Sequence, residues 1–329
     1  MPQSETLLFI LFNLLIIALL ALDLGVLHRK AHTVGLREAT VWSIIWILVA
    51  LVFNVFVYYM YEHGWFGAGG FGHQAGGEAA LQFFTGYLIE RALSMDNIFV
   101  FILIFNYFGV PAKYQYKVLF WGIFGALVMR SLFIIAGAVL ISRFEWILYI
   151  FGVILVYSGW KMVRGDDTEV HPEKNVFIRA ARKLFPVDTG YETPRFFTRK
   201  RGILHVTTLF LVLLTVETTD VVFAVDSIPA VFAVTRDPFI VYSSNVFAIL
   251  GLRALYFLLA GIMNTFYYLK YGLSLVLIFV GVKMLLADLY HIPIGTSLGV
   301  ISGLLAVSVI ASIVRTRRKK NDVKAEVRE

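Results

Sequence analysis

Residues 216–231 read VETTDVVFAVDSIPAV, and the chemistry of this stretch decides what kind of chain this is. Three carboxylates, Glu217, Asp220 and Asp226, stand inside an otherwise apolar run at about 203–234, long enough to cross a bilayer. A central acid costs about 2.5–3.5 kcal/mol to insert, so three facing lipid would cost about 8–10 kcal/mol. They must face the protein interior, paired with bases, protonated or bound to a cation. Glu217 and Asp220 are three apart and share a helical face. Asp226, nine residues beyond Glu217, points the other way from an unbroken helix. Pro229 cannot donate to the carbonyl of Val225 and clashes with it, which predicts a kink or unwound turn at 225–229. Such a break would bring Asp226 round and free carbonyls as ligands.

Outward from this stretch, the whole chain reads as membrane protein. It has 329 residues, 59% of them hydrophobic and only 16% charged, against roughly a quarter charged in soluble domains. Its mean hydropathy is +0.78. Nine apolar spans predict an all-α polytopic fold, at about 6–27, 38–61, 80–107, 114–141, 144–163, 203–234, 239–262, 268–288 and 294–315. The first is too long for a signal-peptide core and lacks a cleavage site, so it reads as a mature helix. With the N-terminus outside, 23 of the 29 Lys and Arg fall in inner joints and the tail, and only Arg143 and Arg236 in outer segments. This asymmetry predicts a cytoplasmic C-terminus and explains the net charge of +7 as topology, with no call for nucleic acid. Cysteine is absent, which excludes disulfides, thiolate metal sites and Cys nucleophiles.

The chain divides into two N-terminal spans with an outer Gly/His loop (1–79), a three-span unit (80–163), a basic cytoplasmic loop (164–202), a second three-span unit (203–288) and a last span with a basic tail (289–329). The two units resemble each other. MDNIFVF (95–101) aligns with TDVVFAV (219–225), pairing Asp96 with Asp220. Arg130 and Arg253 then follow at nearly equal distance, and GVILVYSGWKM (152–162) matches LSLVLIFVGVKM (273–284), pairing Lys161 with Lys283. An odd number of spans per unit makes the second copy inverted, an arrangement found in transporters with substrate sites near the midplane on discontinuous helices.

Six carboxylates lie at apparent membrane depth: Asp23, Glu90, Asp96, Glu217, Asp220 and Asp226. With Asn97 and Ser227 they form an all-oxygen donor set, which suits Mn²⁺, Mg²⁺ or Ca²⁺ better than zinc or copper. Glu90 and Asp96, six apart in GYLIERALSMDNIFVF (86–101), converge only if the helix is irregular near Ser94–Asn97. Arg130, Arg253 and Lys283 are the expected counter-charges, with Arg91 a fourth base at depth. Pure ion pairing is the competing reading. Asp23 is the weakest candidate, since it could cap its helix or pair with His28 or Arg29. Asn245 and Ser244 could supplement the site, while Tyr58, Tyr59 and Trp65 read as interfacial belt residues. NVFIRAARKLF (175–185) fits a short interfacial helix or a solvated basic linker, and His63 and His73 are either loop composition or a metal-collecting pair.

The motifs ERALSMDN (90–97), ETTDVVFAVDSIPA (217–230), FAILGLRALYFLLAG (247–261) and LKYGLSLVLIFVGVKM (269–284) resemble the TerC family of membrane proteins, in its Alx-like branch. The likeness covers roughly 5–315. It implies a nine-span bacterial inner-membrane protein that exports manganese or supplies it to exported enzymes, with secretion machinery as a partner in the second case. The expectation is therefore Mn²⁺ efflux, coupled to protons, with no permanently bound cofactor and no enzyme chemistry. The alternatives are a Ca²⁺ or general cation–proton exchanger and a membrane assembly or metal-delivery factor. No cysteine, haem-type ligand pair or nucleotide fingerprint supports electron transfer.

Overall fold

The computed structural model describes residues 3–27, 35–68, 75–164, 175–188, 190, 195–200, 202–261, 267–290 and 292–326. Its order is α1 (Gln3–Leu27), α2 (Leu36–Glu62), α3 (Gly76–Phe108), α4 (Ala112–Arg143), α5 (Ile147–Arg164), α6 (Val176–Leu184), β1 (Val187–Asp188), β2 (Phe197–Lys200), β3 (Ile203–Thr207), α7 (Thr208–Phe232), α8 (Pro238–Leu250), α9 (Leu252–Ala260), α10 (Leu269–Leu285) and α11 (Ile294–Glu326). Local chemistry sets the ends. Gly109, at φ 63°, turns the chain out of α3 while the Gly109 and Val110 amides donate to the carbonyls of Asn106 and Phe105. The Asp237 carboxylate accepts from the amides of Phe239 and Ile240 to start α8, with Pro238 at the first helical position. Asp237 also accepts the Tyr61 hydroxyl at 2.6 Å, joining the end of α2 to the start of α8.

The protein exposes many apolar side chains and buries several charged and polar ones within a largely apolar core. Leu14, Ile17, Val52, Ile135 and Val307 are all more than half exposed, whereas Glu90, Arg130, Asp220, Ser227 and Asn245 are buried. That inversion of the soluble pattern is what a hydrocarbon solvent selects. Six helices are long and apolar enough to cross a membrane, and α8 with α9 makes a seventh as a pair bent by 42°. Neither α3 nor α10 is among these, although both coincide with expected spans. α3 carries Glu90, Arg91 and Asp96 in its middle, and α10 has 17 residues.

Two expectations about irregular helices are corrected. α3 and α7 run unbroken through 94–97 and 225–229, with Pro229 held inside α7. Ile228, Pro229, Ala230 and Val231 are buried against neighbouring helices, and such packing tolerates a proline in a membrane helix. The break lies instead at Gly251, between α8 and α9. There the Arg91 guanidinium lies so close that a Cβ on residue 251 would come within 2.4 Å of its Nη1, and Nη1 donates to the Ala248 carbonyl at 3.2 Å. Glycine admits the arginine, and the arginine takes up a carbonyl that the ending helix leaves free.

α5 packs on α10 more extensively than any other pair, α3 packs on α8, and α4 on α7. Small residues bring α5 and α10 into backbone contact. A Cβ on Gly281 would meet the Gly152 carbonyl at 2.7 Å, and one on Gly159 would meet the Ser274 carbonyl at 2.7 Å. Between α5 and α7 the chain forms α6 and a three-stranded sheet in the order β1-β3-β2, with β1 parallel and β2 antiparallel to β3. The sheet was not foreseen. β3 takes residues 203–207, so the sixth span begins only at Thr208, where the Thr207 hydroxyl caps the helix.

Candidate functional site

Arg130, on α4, is buried at the centre of four helices. Its Nη2 and Nε reach the two oxygens of Asp220 on α7 at 3.1 and 3.4 Å, a forked approach that only a guanidinium makes. Its Nη1 pairs with Glu90 Oε1 on α3 and donates to Ser227 Oγ at 3.0 Å and Asn245 Oδ1 on α8 at 3.4 Å. Asp220 and Ser227, seven residues apart, lie two turns along one face of α7, which is why both meet the same side chain.

Charge does not balance in this cluster. One guanidinium faces two carboxylates, and Glu90 Oε2 is buried with no hydrogen-bond partner among the described residues. A buried carboxylate oxygen without a donor carries a desolvation penalty that a proton or a metal cation would relieve. A void of about 10 Å³ beside Asp220 is also lined by Gly122, Ala126 and Val216. Glu217, one turn before Asp220, lies against α4, and a Cβ on Gly125 would come within 2.0 Å of its Oε1. The glycine makes room for the acid, and Glu217 has no hydrogen bond or ion pair among the described residues.

The remaining expected site residues are spread out. Because α7 is unbroken, Asp226 faces the other way and accepts the Ser158 hydroxyl of α5 at 2.6 Å. Asn97 is buried and Asp96 half-buried further along α3. Among the described residues no three acids or histidines come together as a metal cage. Of the three expected counter-charges, Arg130 alone is in this cluster. Arg253 pairs with Asp23 and donates to the Tyr116 hydroxyl at 3.0 Å, tying α9 to α1 and α4. Asp23 thus finds a base from a distant span; His28 and Arg29, its sequence neighbours, lie outside the described residues. Lys283 faces a cavity of about 380 Å³ with Gln82, Thr235 and Arg236. His63 hydrogen-bonds the Tyr59 carbonyl and stacks near Trp65, while His73 lies outside the described residues.

Sequence reading missed Ser158, Tyr116 and the part played by Gly125. Glycine at 122 and 125 in span four was the one signal, since small residues three apart mark a helix face that another helix approaches. Residues 75–320 match the family described as "Integral membrane protein TerC family". An "Uncharacterized membrane protein STKORF319" of Myxococcus xanthus is 48% identical over 93% of this chain and 92% of its own length. A protein of Escherichia coli K12 named "Putative membrane-bound redox modulator Alx" is 46% identical over 91% of this chain and 92% of its own. A membrane protein of Rickettsia bellii is 39% identical over 93% of this chain. No solved structure matches the chain.

Proposed function

The chain belongs to the TerC family of integral membrane proteins, and from that membership we propose that it exports a divalent cation, Mn²⁺ foremost, from the cytoplasm by alternating access. The observation that carries this reading is the unequal cluster of Arg130 with Glu90 and Asp220. Arg130 stands where a cation is needed and would hold the two carboxylates together whenever no metal is bound. An arriving metal ion displaces the guanidinium, taking Glu90 and Asp220 with oxygen donors from Ser227 and Asn245. Glu217 and Asp96 act as the neighbouring acids through which the ion enters or leaves. Protonation of the carboxylates drives release, because carrying several bare acids through an occluded state is costly.

An inverted repeat underlies the movement. The first helix of each unit packs on the second of the other, α3 on α8 and α7 on α4, and the third helices pack on each other. The sequence match pairs Gly159 with Gly281 and Gly152 with Ser274. The close contacts are Gly152 with Gly281 and Gly159 with Ser274, which is how a two-fold exchange would map one contact onto the other. Nine crossings, with α3 and α10 spanning as well, complete this reading, in a bacterial inner membrane with the N-terminus outside and the C-terminus and α6 region inside.

Oxygen donors favour hard cations without choosing among them, so a Ca²⁺ or general cation–proton exchanger is the neighbouring alternative. Competition of Mn²⁺, Mg²⁺ and Ca²⁺ in proteoliposomes separates these. The redox label carried by relatives fits a change in metal content, since the chain offers no thiol for electron transfer. A docking or metal-delivery factor would instead depend on the 164–202 loop, so its deletion should abolish that function. The primary test is cellular manganese in cells expressing wild type, Asp96→Asn or Asp220→Asn at matched protein levels. Wild type should lower manganese and both variants should fail to do so. Equal manganese in all three would sink the export reading.

A further inference from the structure

Helix α6 has more apolar surface than the protein covers. Its Asn175 cap places Ile178 and Ala181 in a small core with Val206 and Leu211, leaving Phe177 62% and Leu184 73% exposed. On a helical wheel Phe177, Ala180 and Leu184 fall on one edge, about a quarter turn from the buried side. Arg179, Arg182 and Lys183 occupy the opposite flank, with no ion pair to any described residue. A helix that is apolar along one edge and cationic along the other is built for the boundary between headgroups and acyl chains.

Its position agrees with that. The Asn175 side-chain amide donates to the Thr218 hydroxyl at 2.7 Å, ten residues into α7. Ile178 and Ala181 pack with Val206 and Leu211, so α6 lies beside the start of a helix long and apolar enough to cross a membrane. Read as a crossing, α7 meets headgroups and acyl chains at that end, where the exposed Phe177 and Leu184 have lipid to enter. We infer that α6 is a lipid-binding element that inserts Phe177 and Leu184 into the bilayer while Arg179, Arg182 and Lys183 bind anionic headgroups. Thr218 is next to Glu217, so this lipid contact is one hydrogen bond away from the acid cluster.

The lack of cysteine makes the test direct. Phe177→Cys and, in a separate protein, Leu184→Cys are each labelled with an environment-sensitive fluorophore. The full chain is then placed in vesicles of phosphatidylcholine alone or with about a third phosphatidylglycerol. Expected are blue-shifted emission and quenching by acyl-chain quenchers, both stronger with the anionic lipid. Replacing Arg179, Arg182 and Lys183 by Gln should remove the difference between the two lipids, at about a fivefold change in the insertion equilibrium constant per charge. Both labels reached equally by aqueous iodide in both vesicles, with no acyl-chain quenching, would overturn the proposal. Quenching that ignores lipid charge would overturn the headgroup part. None of these readouts depends on metal transport, so they stand or fall apart from the export reading.

Discussion

Arg130 and Arg253 hold matching places in the two sequence units and have become different things in the folded chain. Arg130 binds across both units, to Glu90 of the first and Asp220 of the second, with Ser227 and Asn245 completing its hydrogen bonds. Arg253 turns outward to Asp23 of the first helix and to Tyr116. The helices that carry them differ in the same way. α4 is continuous over 32 residues, while the matching stretch of the second unit is divided at Gly251 into α8 and α9. Of these two arginines, only Arg130 bridges acids of both units. Under the proposed export mechanism, Arg130 between its two acids is the charge that a metal would replace.

The largest effect should come from Arg130→Gln, which strips two buried carboxylates of their cation. Losing one partner of a buried pair costs about 3–5 kcal/mol, so melting in detergent should fall steeply and export should cease. Arg253→Gln should lower stability by the same mechanism yet leave export measurable at matched protein levels. If it abolishes export as completely as Arg130→Gln, the two arginines are equivalent and the contrast fails. The double variant Asp23→Asn/Arg253→Gln removes both charges together and should recover a large part of the stability that Arg253→Gln loses, as a double-mutant cycle would register.

Two glycines sharpen the contrast between frame and site. At Gly281 an added methyl meets the Gly152 carbonyl, a backbone atom that cannot swing away. Gly281→Ala should therefore cost about 1–3 kcal/mol of stability by parting α5 from α10. At Gly125 the obstacle is the far end of the Glu217 side chain, which can rotate. Gly125→Ala should fold within about 1 kcal/mol of wild type, and its cost should appear in transport as Glu217 is pushed aside.

The smallest effect belongs to the three-stranded sheet. Lys200 bonds Asp188 at 2.8 Å and holds its carboxyl below the usual carboxylate range. A depressed carboxyl contributes stability above its unfolded value of about 3.9 and loses it as pH falls through the lower folded value. Hydrogen exchange of the β2–β3 amides, corrected for intrinsic rate, should therefore not change between about pH 7 and 5. Loss of protection in that window would show that the Lys200 link does not set the Asp188 titration.

Much of the fold was legible because hydrocarbon length and basic loops leave plain marks on a sequence. The basic segment at 175–185 left helix and linker both open and forms a helix over Val176–Leu184, while the sheet after it was hidden, since strands of two to five residues carry almost no pattern. Glu90, Asp220 and Ser227 were named from sequence and do meet. Asp226 was named with them and does not, because packing holds α7 together across Pro229 and turns that acid toward Ser158.

By itself the sequence determined the solvent of this protein: an apolar chain with a few interior acids can be satisfied only in a membrane, with those acids turned inward. It also determined which residues had to find partners, because a buried charge has no cheap alternative. Which partner each found was decided by the tertiary structure alone. Pairing across 40 to 230 residues depends on how helices cross, and small residues at crossings such as Gly125, Gly251 and Gly281 set that distance.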